Sequence, residues 1–249
     1  MTQSGHYLER ILTDIARFEA SGKEALVVFD LDSTLFDVSP RLKKILHNFA
    51  LEPENQARFP EACAILRDAE TYRSDWGIKN AVIRAGLDQH HPEFHQALKD
   101  FWFRNFFSNE YLDYDVPYEG AVEFVQSLAK VGAEIAYLTG RDVHRMGQGS
   151  RDVLLKWNFP LDDIKSTLVL KPQQGMNDAQ FKSDWFAGLP SGRYEKIWFF
   201  ENEPVNVNLV RTEHQHIEVV FFESTHSGKA QAPTDLPKIL NFLIQKGGE

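Results

Sequence analysis

The sequence predicts an α/β fold: a three-layer sandwich around a five-stranded parallel sheet, with an all-α block inserted after the first strand. Three observations predict it. Five short apolar runs rich in β-formers alternate with amphipathic helical patterns, as in parallel sheets covered on both faces. Between residues 38 and 114 the chain shows helical patterns and almost no strand signal, a span well beyond any ordinary loop. The first apolar run, Val27-Val28-Phe29, ends abruptly in Asp30 and Asp32, with Thr34 close behind. Charges directly after a buried strand are costly unless they meet a cation or a ligand. In open α/β sheets the carboxyl ends of strands are where ligands bind. Two units follow from this pattern, one made of 1–37 with 115–249 and the other of 38–114.

The elements follow in order. Leu8, Ile11, Leu12, Ile15 and Phe18 recur at helical spacing over Tyr7 to Ala20, and Ser21-Gly22 stops that helix. Ala25 to Phe29 is the first strand. Ser39-Pro40 opens a helix, Ser as N-cap and Pro at the first helical position, and Leu42, Ile45, Leu46 and Phe49 share its face. Within the insertion Ala62, Ile65 and Leu66 mark one more helix, Ile78, Val82 and Ile83 another, and Phe94, Leu98, Phe101, Trp102 and Phe106 a strongly aromatic third. Pro53, Pro60, Gly86 and Pro92 punctuate them.

Beyond Gly120 helix and strand alternate. Ala121 to Val131 is a helix closed by Gly132. Glu134 to Leu138 is a strand ended by Thr139-Gly140-Arg141. Val143 to Trp157 is a helix that Gly147 and Gly149 weaken near its start. Thr167 to Leu170 is a strand, followed by a polar segment to Lys182 and a short helix. Lys196 to Phe200 is a strand ended by Glu201-Asn202-Glu203. Val205 to Thr212 is a helix, Ile217 to Phe222 the fifth strand, and Leu236 to Ile244 a closing helix.

Composition narrows the function classes. The 249 residues carry a net charge of −9, which argues against a nucleic-acid polymer as partner. No apolar run approaches the length of a membrane span. The single Cys63 excludes an internal disulfide and suits a reducing compartment. The opening Met1-Thr-Gln-Ser-Gly-His lacks the basic and apolar regions of a secretory leader, so a cytoplasmic location is expected. The sequence does not indicate an oligomeric state.

Three strand ends carry polar groups suited to one reaction. Asp30 and Asp32 follow the first strand, Thr139 the second, and Glu201, Asn202 and Glu203 the fourth; Lys182 lies between the third and fourth. In a parallel sheet these ends share one edge. Two carboxylates with a third acid can hold Mg²⁺, a hard cation that takes oxygen ligands. A lysine and a hydroxyl can bind phosphate oxygens. Phosphoryl transfer needs a nucleophile, charge neutralisation and a proton for the leaving group.

On these residues the chain resembles the haloacid dehalogenase-like (HAD) superfamily. The resemblance rests on Asp30-Leu-Asp-Ser-Thr34, on Ala136-Tyr-Leu-Thr-Gly-Arg-Asp142, on Lys182 in Asp178-Ala-Gln-Phe-Lys182, and on Glu201-Asn-Glu-Pro-Val-Asn206. It implies a Rossmann-like sheet and reads the inserted helices as a cap of the C1 type that closes over the site. It implies that Asp30 is a nucleophile forming an aspartyl-phosphate, and that Asp32 protonates the leaving oxygen and then activates water. Thr139, Gly140 and Lys182 would bind the transferring phosphoryl group. Mg²⁺ would bind the Asp30 carboxylate, the Asp32 backbone carbonyl and Glu201. An acid at position 32 is what phosphatases of the family show and what its dehalogenases and P-type ATPases lack. The implied function is a Mg²⁺-dependent phosphatase acting on a small phosphorylated metabolite. A phosphomutase on the same site and a low-turnover binding or regulatory protein are the alternatives.

The fourth motif departs from the family's usual Asp-Asp. Glu201 is one methylene longer and Asn202 removes a charge, which predicts weaker Mg²⁺ binding and a less firmly held Lys182, with Glu203 as partial compensation. Lys171, directly after the third strand, is the rival of Lys182. His91 and His95 have zinc-compatible spacing, but no third ligand is evident and solvated histidines are the expectation. Phe101, Trp102, Phe103, Phe106 and Phe107 are expected to pack the core of the insertion, with an apolar substrate wall as the rival reading. Tyr72 to Lys79 reads equally as a recognition segment and as a helix end. Arg141 and Asp142 read as a surface pair.

Overall fold

The computed structural model describes residues 3–244; Met1, Thr2 and the last five residues, on which the leader reading and the outer limits of the expected units fall, lie outside the described residues. The chain opens with α1 (Gln3–Ala20) and β1 (Glu24–Phe29), followed by a two-residue strand, β2 (Phe36–Asp37). Five helices come next: α2 (Ser39–Leu51), α3 (Pro53–Arg58), α4 (Pro60–Leu66), α5 (Lys79–Arg84) and α6 (Pro92–Phe106), then a 3₁₀ turn (Glu110–Tyr114). β3 (Val116–Pro117) leads into α7 (Ala121–Lys130), β4 (Glu134–Asp142), α8 (Val143–Lys156), β5 (Ser166–Lys171) and α9 (Asp178–Ala187). β6 (Tyr194–Glu201), α10 (Pro204–Glu213), β7 (Ile217–Phe222) and β8 (Lys238–Ile239) complete the order.

The main sheet is parallel throughout, in the order β5-β4-β1-β6-β7-β8. Strand β1 is central, with five consecutive buried residues from Ala25 to Phe29, the near-continuous apolar run expected of a strand covered on both faces. Its odd residues Val27 and Phe29 face α1, α7 and α8, while Leu26 and Val28 face α9 and α10. This alternation makes the three layers. From β1 the chain moves outward through β4 and β5, then returns to β6 on the other side of β1. The strand order therefore reverses at β1, where an α/β sheet opens a crevice for ligands.

Three features differ from the sequence expectation. The sheet has six strands, not five. The closing helix expected over Leu236 to Ile244 is absent; Lys238–Ile239 instead pairs with β7. The reason is tertiary: Phe242 is fully buried and its ring stacks on Phe222 at 5.1 Å, while its N–H donates to the Glu119 carbonyl. That placement needs extended chain, and it overrides a helical pattern. The cap of α2 is also shifted. Val38, not Ser39, is the N-cap and makes no side-chain cap bond; Asp37 Oδ1, one residue earlier, accepts the N–H of Ser39 at 2.8 Å, and Ser39 lies inside the helix.

The helical insertion has its own apolar cluster, including Ile45, Phe49, Leu66, Val82, Phe94 and Phe101. Both crossings between it and the sheet run through one small antiparallel ribbon, where Phe36 faces Pro117 and Asp37 faces Val116.

Candidate active site

At the carboxyl end of β1, Asp30 is buried and its N–H donates to the Phe200 carbonyl on β6. The next strand end on that side carries Glu201, fully buried. Lys182 reaches up from α9 and donates to Asp30 Oδ1 at 2.5 Å and to Glu201 Oε2 at 2.6 Å. Lys182 is itself 1% exposed, so its charge is balanced only by these carboxylates. Burial opposes the ammonium, and the two carboxylates override it and hold the proton on Lys182. Burial pushes the Asp30 carboxyl up to about 7, against the pull of Lys182 and with the push of Glu201. Lys171, the rival, is elsewhere: its ammonium bonds Asp178 and the Met176 carbonyl.

The altered fourth motif has a clear geometry. Glu201 Oε1 accepts the backbone N–H groups of Asn202 and Glu203 at 2.9 Å each, and Asn206 Nδ2 donates to Oε2 at 3.0 Å. The extra methylene thus lets the carboxylate fold back onto its own loop. Asn202 does not face Lys182. Its Oδ1 accepts the Thr34 hydroxyl at 2.9 Å and its Nδ2 donates to the Thr225 carbonyl at 2.6 Å. The expectation of a loosely held Lys182 is corrected: two carboxylates grip it, and neutral Asn202 instead ties the β1 loop to the β7 loop. Glu203 caps α10 and bonds Ser227, so its carboxylate is committed there rather than to the Asp30 side.

Asp32 is held by a second cation pair. Its Oδ1 accepts Arg41 Nη2 at 2.5 Å and Arg141 Nη2 at 2.6 Å. Asp115 bonds the same two arginines, Arg41 through Nε at 2.7 Å and Arg141 through Nη2 at 2.8 Å. Arg41, Arg141 and Asp115 are all essentially inaccessible. Burial alone would raise the Asp32 carboxyl; Arg141 and then Arg41 override it and hold the group well below the usual carboxylate range. Asp32 is therefore ionised at neutral pH, able to accept a proton but with none to give in this arrangement.

The reading of Arg141 and Asp142 as a surface pair is thus overturned. Both are buried, and Asp142 caps α8 by accepting the Arg145 N–H at 3.0 Å. The sequence reasoning missed Arg41, Asp115 and the role of Arg141. A usable signal existed for Arg141, since it follows a buried strand end as abruptly as Asp30 does. Arg41 and Asp115 flank the two crossings of the insertion, a position only the fold makes significant.

Thr139 and Gly140 lie on β4 just past its last pairing with β1, Phe29 with Tyr137, and Thr139 is 1% exposed. A Cβ on Gly140 would lie 2.8 Å from Asp178 Oδ2, so a larger residue there would displace the Asp178 side chain from its bond to Lys171. Asp30, Asp32, Thr139, Gly140, Lys182 and Glu201 all border one cavity of about 1080 Å³ between the sheet edge and the insertion. His91 is exposed, and no cluster of three metal-ligating side chains exists among the described residues. The Asp30 and Glu201 carboxylates do converge on one cationic position, the one the Lys182 ammonium takes. Two hard oxygen donors of this kind suit Mg²⁺, which binds through one or two carboxylates and keeps several waters, but only with Lys182 moved off them, since it occupies the point between Asp30 and Glu201.

No curated protein matches the chain. Among solved structures it is similar to protein tyrosine kinase A of Mycobacterium tuberculosis (15% identity, TM-score 0.53, covering 87% of this chain and 93% of that one). It is also similar to a candidate phosphatase from Clostridium difficile (12%, 0.51, 83% and 89%) and a candidate haloacid dehalogenase-like hydrolase from Burkholderia xenovorans (15%, 0.51, 88% and 94%). At these identities the likeness speaks for the fold. The sequence profile of the haloacid dehalogenase-like hydrolases matches residues 25–159, more than half of the chain and including β1 with Asp30 and Asp32 and β4 with Thr139. The chain belongs to the haloacid dehalogenase-like hydrolases.

Proposed function

We propose that the protein is a phosphatase that hydrolyses a small-molecule phosphomonoester through an aspartyl-phosphate on Asp30. The observation that carries the reading is Lys182 bound to both Asp30 and Glu201 at the point where the strand order reverses. An Asp30 oxygen attacks phosphorus in line with the ester oxygen, which leaves and takes a proton. Water then attacks the phosphorus of the aspartyl-phosphate and gives up a proton, freeing Asp30 and inorganic phosphate. Lys182, Thr139 and the Gly140 backbone hold the phosphoryl oxygens. Asp30, Glu201 and the Asp32 carbonyl would hold Mg²⁺, which when bound neutralises charge on the phosphate. Asp32 is the base that takes the proton from water; Arg41 and Arg141 keep it ionised but also weaken it as a base, so it works once they have released it. To act as the acid of the first step it must first leave Arg41 and Arg141 and take up a proton from solvent, which it then gives to the leaving ester oxygen. The helical insertion serves as a cap, hinged at the β2–β3 ribbon, that excludes water when closed.

One observation favours a second reading, a low-turnover phosphometabolite-binding protein: the acid that should protonate the leaving group is held by two buried arginines. A screen of phosphomonoesters with and without Mg²⁺, beside Asp30→Asn, separates the two. Mg²⁺-dependent phosphate release that Asp30→Asn abolishes is expected. Equal release by the variant overturns the covalent route, and tight binding without release at saturating Mg²⁺ favours the second reading.

A further inference from the structure

The cavity above Asp30 has three sides. One is the sheet edge, and a second is the insertion, where Trp102, Phe106 and Phe107 border it. The third is the segment 223–229 that follows β7, which contributes Thr225, Ser227 and Lys229. This segment is neither helix nor strand, and side-chain bonds hold it on both flanks. Ser224 Oγ donates to the Ser33 carbonyl at 2.5 Å, and Ser33 has φ 63°, a left-handed conformation that a residue with a Cβ keeps only when its surroundings hold it. Thr225 Oγ1 donates to the Ser74 carbonyl of the insertion at 3.2 Å. Glu203 accepts the Ser227 N–H at 2.9 Å and its hydroxyl at 2.8 Å.

Asn202 supplies the central tie. Its Nδ2 donates to the Thr225 carbonyl at 2.6 Å while its Oδ1 accepts the Thr34 hydroxyl at 2.9 Å. A carbonyl oxygen only accepts, so the group that faces Thr225 must be a donor. Asn202 is 3% exposed, so water does not make good a lost partner. An ionised carboxylate in its place would set two acceptors against each other out of water, which is costly. The fourth motif therefore divides its work. Glu201 grips Lys182, while Asn202 and Glu203 hold the segment after β7.

We propose that Asn202 is a positioning residue, whose amide seats the 223–229 segment as a substrate-binding wall and joins that wall to the insertion. This goes beyond the phosphatase reading and rests on it only for the cavity being the substrate site. The neutral amide in place of an acid is then the condition for recruiting the wall. The wall in turn brings Lys229, which makes no ion pair among the described residues, to a cavity otherwise rich in acids.

Two variants test this. Asn202→Asp removes the donor and adds a charge; Asn202→Leu removes the donor and adds none. In the ligand-free chain, amides of 223–229 and 72–77 should exchange at least about tenfold faster in both, with β1 and β4 amides shifted far less. With p-nitrophenyl phosphate, KM should rise about tenfold in both and kcat should change less than about threefold. As pH falls, the carboxyl of Asn202→Asp takes up a proton and becomes a donor again. Its KM should then approach that of the unaltered chain at the same pH, whereas Asn202→Leu should not recover. Thr225→Val cuts only the tie to Ser74 and serves if neither variant folds; it should speed exchange at 72–77 and 223–229 and raise KM about threefold. Unchanged exchange at 223–229, or faster exchange with KM unaltered, overturns the inference. A rise in KM for Asn202→Asp alone assigns the effect to charge and overturns it as well. If the unaltered chain releases no phosphate, the phosphatase reading fails and calorimetric binding of p-nitrophenyl phosphate takes the place of KM. Weaker binding by both variants then supports the wall, and equal binding overturns it.

Discussion

Lys182 shares its ammonium between Asp30 and Glu201 with all three groups out of water. Lys182→Met keeps the length of the side chain and removes the charge, leaving two carboxylates facing each other. Breaking a buried pair this way costs about 3–5 kcal/mol, so urea unfolding at neutral pH should show a loss of that order. The pH dependence has a definite sign. The folded Asp30 carboxyl stands at about 7, above its unfolded value, so its contribution favours the folded state at low pH and is lost as pH rises through about 7. Without Lys182 the two acids repel more strongly, so the deficit of the variant should shrink below pH 7 as they take up protons. A deficit that does not change with pH would mean that packing, not charge, is what Lys182 supplies. At this scale the sequence exposes Asp30, Asp32, Thr139 and Glu201 because strand ends turn abruptly polar there, whereas Lys182, on a helix, is singled out by the family resemblance. It hides Arg41 and Asp115, whose partners lie 9 and 74 residues from Arg41 along the chain.

Helix α8 shows how an element is shaped by what it touches. Gly147 and Gly149 look alike in the sequence, as weak points near the helix start, yet the helix runs unbroken. Their surroundings differ. A Cβ on Gly149 would lie 2.5 Å from the Asn109 carbonyl oxygen, and its N–H donates to Asn109 Oδ1 at 2.7 Å. A Cβ on Gly147 would meet only Leu170 at 3.5 Å, an ordinary contact. Alanine in a helix gains about 1 kcal/mol over glycine, whereas forcing an atom into packed backbone costs about 1–3 kcal/mol. Gly147→Ala should therefore raise stability by up to about 1 kcal/mol, and Gly149→Ala should lower it by about 1–2 kcal/mol. Denaturant midpoints of the two variants should move in opposite directions; a shift of the same sign in both would refute the close approach of α8 to the chain leaving the insertion. The same lesson applies to the last segment. Its apolar spacing reads as a helix, but the buried seat of Phe242 beside Phe222 and the pairing of Ile239 with Phe222 draw it into the sheet. Local period decided the long amphipathic helices and the buried strands; it failed where a few residues serve a distant partner.

Across the whole molecule two faces of the sheet and the insertion carry three apolar clusters, and the acid-lined cavity lies where sheet and insertion meet. The ionic quartet of Asp32, Arg41, Asp115 and Arg141 crosses the same junction. Asp32 follows β1, Arg141 lies on β4, Arg41 on α2, and Asp115 precedes β3. Two acids and two arginines, buried apart from the 31%-exposed Asp32 side chain, balance one another, but removing one leaves an unpaired charge at the joint rather than in either core. Arg41→Met should cost about 3–5 kcal/mol of stability. It should also loosen the insertion from the sheet; the two are then tied by weaker links such as the bonds of Gly149 to Asn109, Lys156 to Asp113 and Thr225 to Ser74. Hydrogen exchange distinguishes the two effects. Amides of α2 and of residues 74–79 should exchange faster in the variant, while the β1 and β4 amides change only by the global loss. If exchange rises uniformly, the quartet supports the fold as a whole and does not couple the insertion to the site. If it rises only at the junction, the same arginine that holds Asp32 also governs how firmly the insertion is held over Asp30, through its seat on the Phe106 ring of α6.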